Sequence, residues 1–465
     1  MPVPSPDRFE NDFLGPVPVP SDALFGPNTA RALSNFQISG TPLSAYPSLL
    51  RSLALIKRAA AQANTSLGEL QVDVGEAIAR ACTEIVEGHH AQHFVIDMIQ
   101  GGAGTSTNMN MNEVIANRAL QIMGLPIGSY AKIHPNDHVN RSQSTNDVYP
   151  TALRMAIRAD SKALKHALLE LAEAFQQKAT QFSAVPKLGR TQLQDAVPMT
   201  VGQELGAFAT TIREDVLRLE ESSFLLAEVN LGGTAIGTGI AASPMFRDAV
   251  LARLRSYGEV LIPAENLMEA SWDAGAFVTF SGTLKRVAVK LSKISNDLRL
   301  LSSGPRGGLG ELRLPARQAG SSIMPGKVNP VIPEVVNQVA FQVIGMDLAV
   351  TLAAEAGQLQ LNAMEPLIGF NILFSLKIMT NAVIALTTLC VRGIEVDGAA
   401  CKRHLDESAA LATALISRIG YDEASRLAKE SVLTGRTVRD IYLEWGGNAE
   451  LVDAAYATQF GPVLT

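Results

Sequence analysis

Apolar residues recur near every third and fourth position along five long stretches of this chain. These are Thr151 to Gln181, Met199 to Val229, Ala274 to Leu301, Pro330 to Ala354 and Pro366 to Gly393. That period marks a helix with one side turned inward. Helices of about 25 residues span nearly 40 Å, longer than an ordinary globular helix. Only short interruptions separate them, so the pattern predicts a mainly α protein whose middle is a bundle of long helices. Phe280 to Val289 and Ile378 to Leu389 lack a fully polar face. Such segments are enclosed on all sides, or packed against copies of the same chain.

The flanks differ. Shorter helices are predicted at Glu76 to Val95 and Asn112 to Met123, with polar loops at Gly101 to Asn110 and His134 to Asp147. The first 50 residues, rich in Pro and Ser, read as an irregular arm. After Arg392 the periods shorten, with Gly420, Gly435 and the Gly446–Gly447 pair as stops. No alternation of strand and helix appears, and strands are scarce. Three domains are expected: a mostly helical one at 1–143, the long-helix bundle at 144–396 and a small helical one at 397–465.

Composition sharpens this. The chain of 465 residues is too long for one ordinary core. Apolar residues make up 47% and charged ones 18%, against roughly 25% charged in a typical soluble domain. Much of the surface is therefore expected to be buried between elements or between chains. A net charge of −6 without a basic block excludes a general nucleic-acid binder. Three scattered cysteines (Cys82, Cys390, Cys401) make neither a disulfide framework nor a metal pair, and suit a reducing compartment. The N-terminus has no signal-peptide pattern. The apolar run Ile378 to Val391 falls short of the roughly 20 residues that span a bilayer. A cytoplasmic protein with no membrane contact is expected.

Three polar regions interrupt the apolar helices: GTSTNMN at Gly104–Asn110, SQSTND at Ser142–Asp147 with GRTQLQD at Gly189–Asp195, and GSSIMPGKVNP at Gly320–Pro330. Hydroxyls and amides give direction to a bound carboxylate, a lysine gives charge, and glycine lets backbone N–H groups come close. Any one segment alone reads more readily as turns and helix caps. GSSIMPGKVNP is more particular, because two prolines and two glycines surround one lysine just ahead of a long helix.

This last loop resembles the signature loop of the aspartase/fumarase superfamily. The blocks at Gly101–Ala119, His134–Ala152, Gly189–Glu204 and Leu231–Gly239 resemble the family's other characteristic segments in the same order. Likeness runs from about Asp12 to about Asp453. It implies a three-domain helical homotetramer whose active sites are each built from three chains. It also implies reversible anti elimination of an amine or water from a succinyl-type dicarboxylate, releasing fumarate, without an organic cofactor. By similarity, Ser321 is the catalytic base, helped by backbone donors of the Gly320–Met324 loop. Thr105, Ser144, Thr145 and Ser322 contact the β-carboxylate that becomes an aci-carboxylate. Lys327 and Asn329 anchor the α-carboxylate near Thr191, and Asn146 lies by the leaving amine.

Local residues lean towards the aspartases, which release ammonia from aspartate. Fumarases carry a histidine where Gln192 stands, paired with a glutamate at the position of Glu334; without the imidazole the water-handling device is incomplete. Four departures keep an N-substituted aspartate open: Asn28 replaces a histidine, Ala30 a longer residue, Ala241 an amide and Trp272 an amide, whereas Arg31 matches. An inactive scaffold would be expected to lose Ser321, Lys327 or Asn329, and all three are present. His89 and His93 are spaced for a metal, with Asp97 a turn later, but they carry no metal signature and are read as a packed helix face. No metal site is predicted.

Overall fold

The computed structural model describes residues 7–458. Its helices are α1 (Pro27–Asn35), α2 (Pro47–Ser66), α3 (Val72–Val86), α4 (Thr105–Ile122), α5 (Thr145–Gln181), α6 (Val201–Leu225), α7 (Phe246–Ser256) and α8 (Gly275–Leu301). They continue with α9 (Val331–Glu355), α10 (Glu365–Leu389), α11 (Gly398–Glu407), α12 (Leu411–Ile419), α13 (Tyr421–Thr434), α14 (Val438–Glu444) and α15 (Ala449–Thr458). Among the described residues the strands form two-stranded pairs only. The larger two are antiparallel hairpins, β1 (Asp7–Asp12) with β2 (Gly15–Pro20), and β3 (Pro186–Thr191) with β4 (Gln194–Thr200). The fold is mainly α, and the five predicted long helices are α5, α6, α8, α9 and α10.

Three expectations are corrected. The N-terminal arm is ordered: Asp7 pairs opposite Pro20 and Asp12 opposite Gly15, and Arg8 donates to the carbonyls of Pro20, Ala23 and Phe25. A hairpin of two edge strands tolerates the prolines that disguise it. The helix predicted to reach Val95 stops at Val86, because His90 takes a left-handed φ of 67° and a single 3-10 turn follows at Ala91–His93. The loop predicted at Gly101–Asn110 is helical from Thr105, after Gly104 at φ 86°. Asn108, Asn110 and Asn112 are buried on that helix. Amides buried on more than one side of a helix are invisible to a search for apolar periods.

The chain divides into two compact units. One comprises residues up to Ala163, Arg218–Lys285 and Val343–Lys377. In it α2 packs on α3 and α7, and α3 on α4, around fully buried Leu49, Leu53, Ile56, Ile78, Val114 and Ile115. The other comprises Leu164–Leu217, Arg286–Gln342 and the residues from Ile378 on. Here β3 and β4 lie on α11 and α12, next to a small core of Leu411, Leu415, Leu427, Val438, Ile441 and Val452. Arg286 and Lys290 share the buried Asp215 at 2.8 and 2.9 Å.

By length and composition α9 and α10 could cross a membrane, with mean hydropathies of 1.5 and 1.7 in their most apolar windows. The short run at Ile378 underestimated this, since α10 begins at Glu365. Only 33% of the window in α9 is buried within the chain. Phe341, Leu348 and Leu352 are each about 60% exposed, and their spacing of seven and four residues sets them on one helix face.

Candidate active site

In the first unit the polar blocks converge on the start of α5. Ser144 N donates to Asp147 Oδ1 at 2.9 Å, and Asp147 Oδ2 accepts from the backbone of Gly232 and Thr234, both at 3.0 Å. That carboxylate is fully buried. Burial pushes it up to about 6, against the N–H groups that favour its charge. Asp147 thus fastens the Leu231–Gly239 block to the Ser144–Asn146 turn. Gly237 has to be glycine: at φ 93°, an added Cβ would lie 2.3 Å from Met268 N.

Pro150 explains a second tie. It lacks the N–H that would reach Asn146 O in the helix, and the Asn230 side chain donates to that carbonyl instead, at 2.9 Å. Asn146 Nδ2 donates to Ala235 O at 2.7 Å. Its Oδ1 therefore turns the other way, an acceptor suited to an ammonium. Thr145 Oγ1 accepts from Asn108 Nδ2 at 3.1 Å, and Thr105 is exposed at the first turn of α4. The structure brings Ser144, Thr145 and Asn146 to one turn, with Asn108 bridging from α4.

Two departures from the family pattern have local explanations. Asn28 donates to the buried Glu113, which also takes the N–H groups of Gly26 and Thr29 at the start of α1. Arg31 is held by both oxygens of Asp12, at 2.7 and 2.9 Å. Both line a cavity of about 340 Å³ that Ser106 also borders. Ala241 occupies φ 64°, a left-handed position where asparagine costs less than alanine. The family's amide at that position thus has a backbone reason. Trp272 is about half exposed.

In the second unit one loop carries Ser321, Ser322, Met324, Lys327 and Asn329. Gly320 N donates to Lys327 O at 2.7 Å, and Asn329 Nδ2 donates to Gly320 O at 3.0 Å, which closes the loop on itself. A Cβ on Gly320 would meet Lys327 O at 2.7 Å. Inside the loop, Ser321 Oγ accepts from Ile323 N at 3.2 Å and Met324 N at 3.1 Å. Two N–H dipoles on one hydroxyl oxygen favour its anionic form. Lys327 makes no ion pair among the described residues. Ile323, Met324 and Val328 are exposed in the single chain.

Thr191 ends β3, and Gln192 and Leu193 turn the hairpin at φ 53° and 60°. Two consecutive left-handed residues without a glycine store strain. An unforeseen charge cluster anchors this hairpin. Buried Glu311 meets Arg190 at 2.7 Å, His404 at 2.9 Å and Lys187 at 3.1 Å. Burial alone would raise its carboxyl, but the Arg190 hydrogen bond and the Lys187 charge hold it below the ordinary range. Ser408 adds a bond to Asp195 at 2.6 Å. Glu311 sits in GLGELRLP, where a lone acid among apolar neighbours is the only signal. Of the spaced histidines, His93 Nδ1 accepts from Leu24 N at 3.4 Å, while Asp97 caps the backbone of Ile38, Ser39 and Gly40.

A family model described as lyase matches residues 15–345, and one described as fumarase C C-terminus matches 411–457. Aspartate ammonia-lyase of Pseudomonas canavaninivorans is 56% identical over 94% of this chain and 93% of its own. That of Escherichia coli K12 is 49% identical over 96% and 94%. Among solved structures, a cobalt-bound fumarate lyase:delta crystallin from Brucella melitensis superposes with a TM-score of 0.96 at 54% identity, covering 98% of this chain and all of that one. Class II fumarase from Schistosoma mansoni gives 0.91 at 34%, covering 97% and 98%.

Proposed function

The chain belongs to the lyase family of aspartases and fumarases, and from that premise we propose that it is an aspartate ammonia-lyase, eliminating ammonia from L-aspartate to give fumarate. The observation that carries this reading is likeness to aspartate ammonia-lyases at about half identity along nearly the whole chain. Gln192, in place of a hydratase's histidine, agrees with it.

The difficulty of the reaction is the weakly acidic C3 proton beside a carboxylate. In our reading Ser321 acts as its alkoxide, stabilised by the N–H groups of Ile323 and Met324; its Oγ takes that proton and becomes the neutral hydroxyl. The charge moves onto the β-carboxylate as an aci-carboxylate. Hydroxyls of Thr105, Ser144, Thr145 and Ser322 are donors aimed at it, and donors fixed before the charge develops favour the transition state over the substrate. Lys327 and Asn329, with Thr191 and Gln192 nearby, hold the α-carboxylate; one amide hydrogen of Asn329 is already engaged by Gly320 O. Asn146 Oδ1 accepts from the departing amine. Met324 lies beside the substrate, its backbone N–H given to Ser321 Oγ.

We further propose a cytoplasmic homotetramer in which each site takes residues from three subunits. The exposed apolar row of Phe341, Leu348 and Leu352 on α9 supports a second copy as its cover, as does the exposed apolar loop around Ser321. Light scattering on the purified chain is expected to give four chain masses, and a monodisperse monomer would refute the assembly.

The test of the chemistry is fumarate absorbance with aspartate and malate offered separately. Turnover of aspartate alone is expected. Turnover of malate would transfer the chain to the hydratases. Silence from both in a folded tetramer would point to an N-substituted aspartate.

A further inference from the structure

We infer that Lys57 is a positioning residue for this reaction, its ammonium setting the direction of the Thr145 hydroxyl through Asn140 and Asn108. The inference rests on the reading of Thr145 as a donor to the substrate carboxylate.

Lys57 lies on α2 and is 0% exposed. Its Nζ stands 2.8 Å from Asn140 Oδ1. An ammonium has three hydrogens to donate and no lone pair, so only the oxygen of the Asn140 amide can face it. This fixes Asn140, whose Nδ2 donates the other way to Gln143 O at 3.1 Å. The same Oδ1 lies 3.2 Å from Asn108 Nδ2 and 3.2 Å from Asn112 Nδ2. An oxygen facing the ammonium can only accept, so both neighbours turn their N–H groups towards it. The second hydrogen of Asn108 Nδ2 then falls to Thr145 Oγ1, at 3.1 Å. Thr145 is thereby an acceptor on its buried side. Its single hydrogen is left for the other side, where a carboxylate is the acceptor.

Amide and hydroxyl orientations are ordinarily interchangeable, since each group can donate or accept. In this relay a donor-only ammonium on one side of Asn140 and the acceptor-only Gln143 carbonyl on the other together remove the choice at every link. With an apolar residue at position 57, Asn140 could turn over, Asn108 could follow, and Thr145 could donate into the protein with its lone pairs towards a developing negative charge. Burying an ammonium is costly, and burial pushes Lys57 down to about 7, so the donor-only relay operates below that pH, where the ammonium is the main form. The titratable groups whose charge opposes that shift are the Asp147 carboxylate on α5 and the Cys82 thiol on α3. A merely space-filling residue would carry no such cost.

The experiment is a double-mutant cycle on the tetrameric enzyme with Lys57→Met, Thr145→Val and the pair, with Asn108→Leu measured in parallel as a second break in the relay. Folding is checked by circular dichroism and thermal midpoint. Lys57→Met is expected to lower kcat roughly 10- to 100-fold, in the range of a misdirected transition-state donor, with KM moving by less than about threefold. In the double variant, Lys57→Met should add less than about twofold to the loss from Thr145→Val, because both remove one interaction. Asn108→Leu should behave in the same way. Wild-type kcat in Lys57→Met, or losses that multiply in the double variant, would overturn the relay while leaving Thr145 in place. A harmless Thr145→Val would instead remove Thr145 from the substrate site, and the inference with it.

Discussion

Replacing Ser321 by alanine is expected to lower kcat on the order of 10⁴-fold, the upper range for losing a positioned proton acceptor, with no loss of fold or assembly. The side chain is small and lies in an exposed loop, so no core is disturbed. Its hydroxyl oxygen is the focus of that loop, accepting from Ile323 N and Met324 N. Such bonds also occur where serine merely caps a turn. Two measurements separate the roles. A lost cap would loosen the loop and weaken binding of fumarate, whereas a lost base leaves fumarate binding near wild type. A lost base also stops exchange of the C3 hydrogen of aspartate with deuterated water, even when no ammonia is released. Retained exchange in Ser321→Ala would show that another group takes the proton.

Helix positions were legible from apolar periodicity because a buried stripe at 3.6-residue spacing survives any detail of packing, and α8 and α9 lie within a residue or two of their expected limits. The start of α4 was not. Asn108, Asn110 and Asn112 are buried there, although by composition they look like a loop. The same blindness hid Lys57: a lysine in an Ala-rich helix reads as surface, and only the fold places Asn140 against it. Glu311 escaped for a related reason, since its partners Lys187, Arg190 and His404 come from distant parts of the chain. Polar chemistry at the ordered blocks was legible through family likeness. Polar chemistry beneath them depends on long-range contacts that spacing does not encode. His93 shows the converse case, because its spacing from His89 suggested a metal while its Nδ1 accepts a backbone N–H from Leu24.

Lys327→Ala is the second large effect we expect, and it should fall mainly on binding. The loop is closed by the backbone of this residue: Lys327 O accepts from Gly320 N at 2.7 Å, and Lys327 N donates to Met324 O at 3.3 Å. Truncating the side chain leaves both bonds in place, and no ion pair among the described residues is broken. What is removed is an ammonium carried by the same loop as the proposed base. A charge-assisted hydrogen bond is worth about 1.5–3 kcal/mol, so kcat/KM should fall roughly 10- to 150-fold, chiefly through KM. Lys327→Arg should recover only part of this, because a planar fork cannot take the place of a compact point charge in a tight loop. A fall in kcat at constant KM would give a different answer: Lys327 would then face the carboxylate that gains charge in the transition state, and the two carboxylates of the substrate would have to be exchanged in the site.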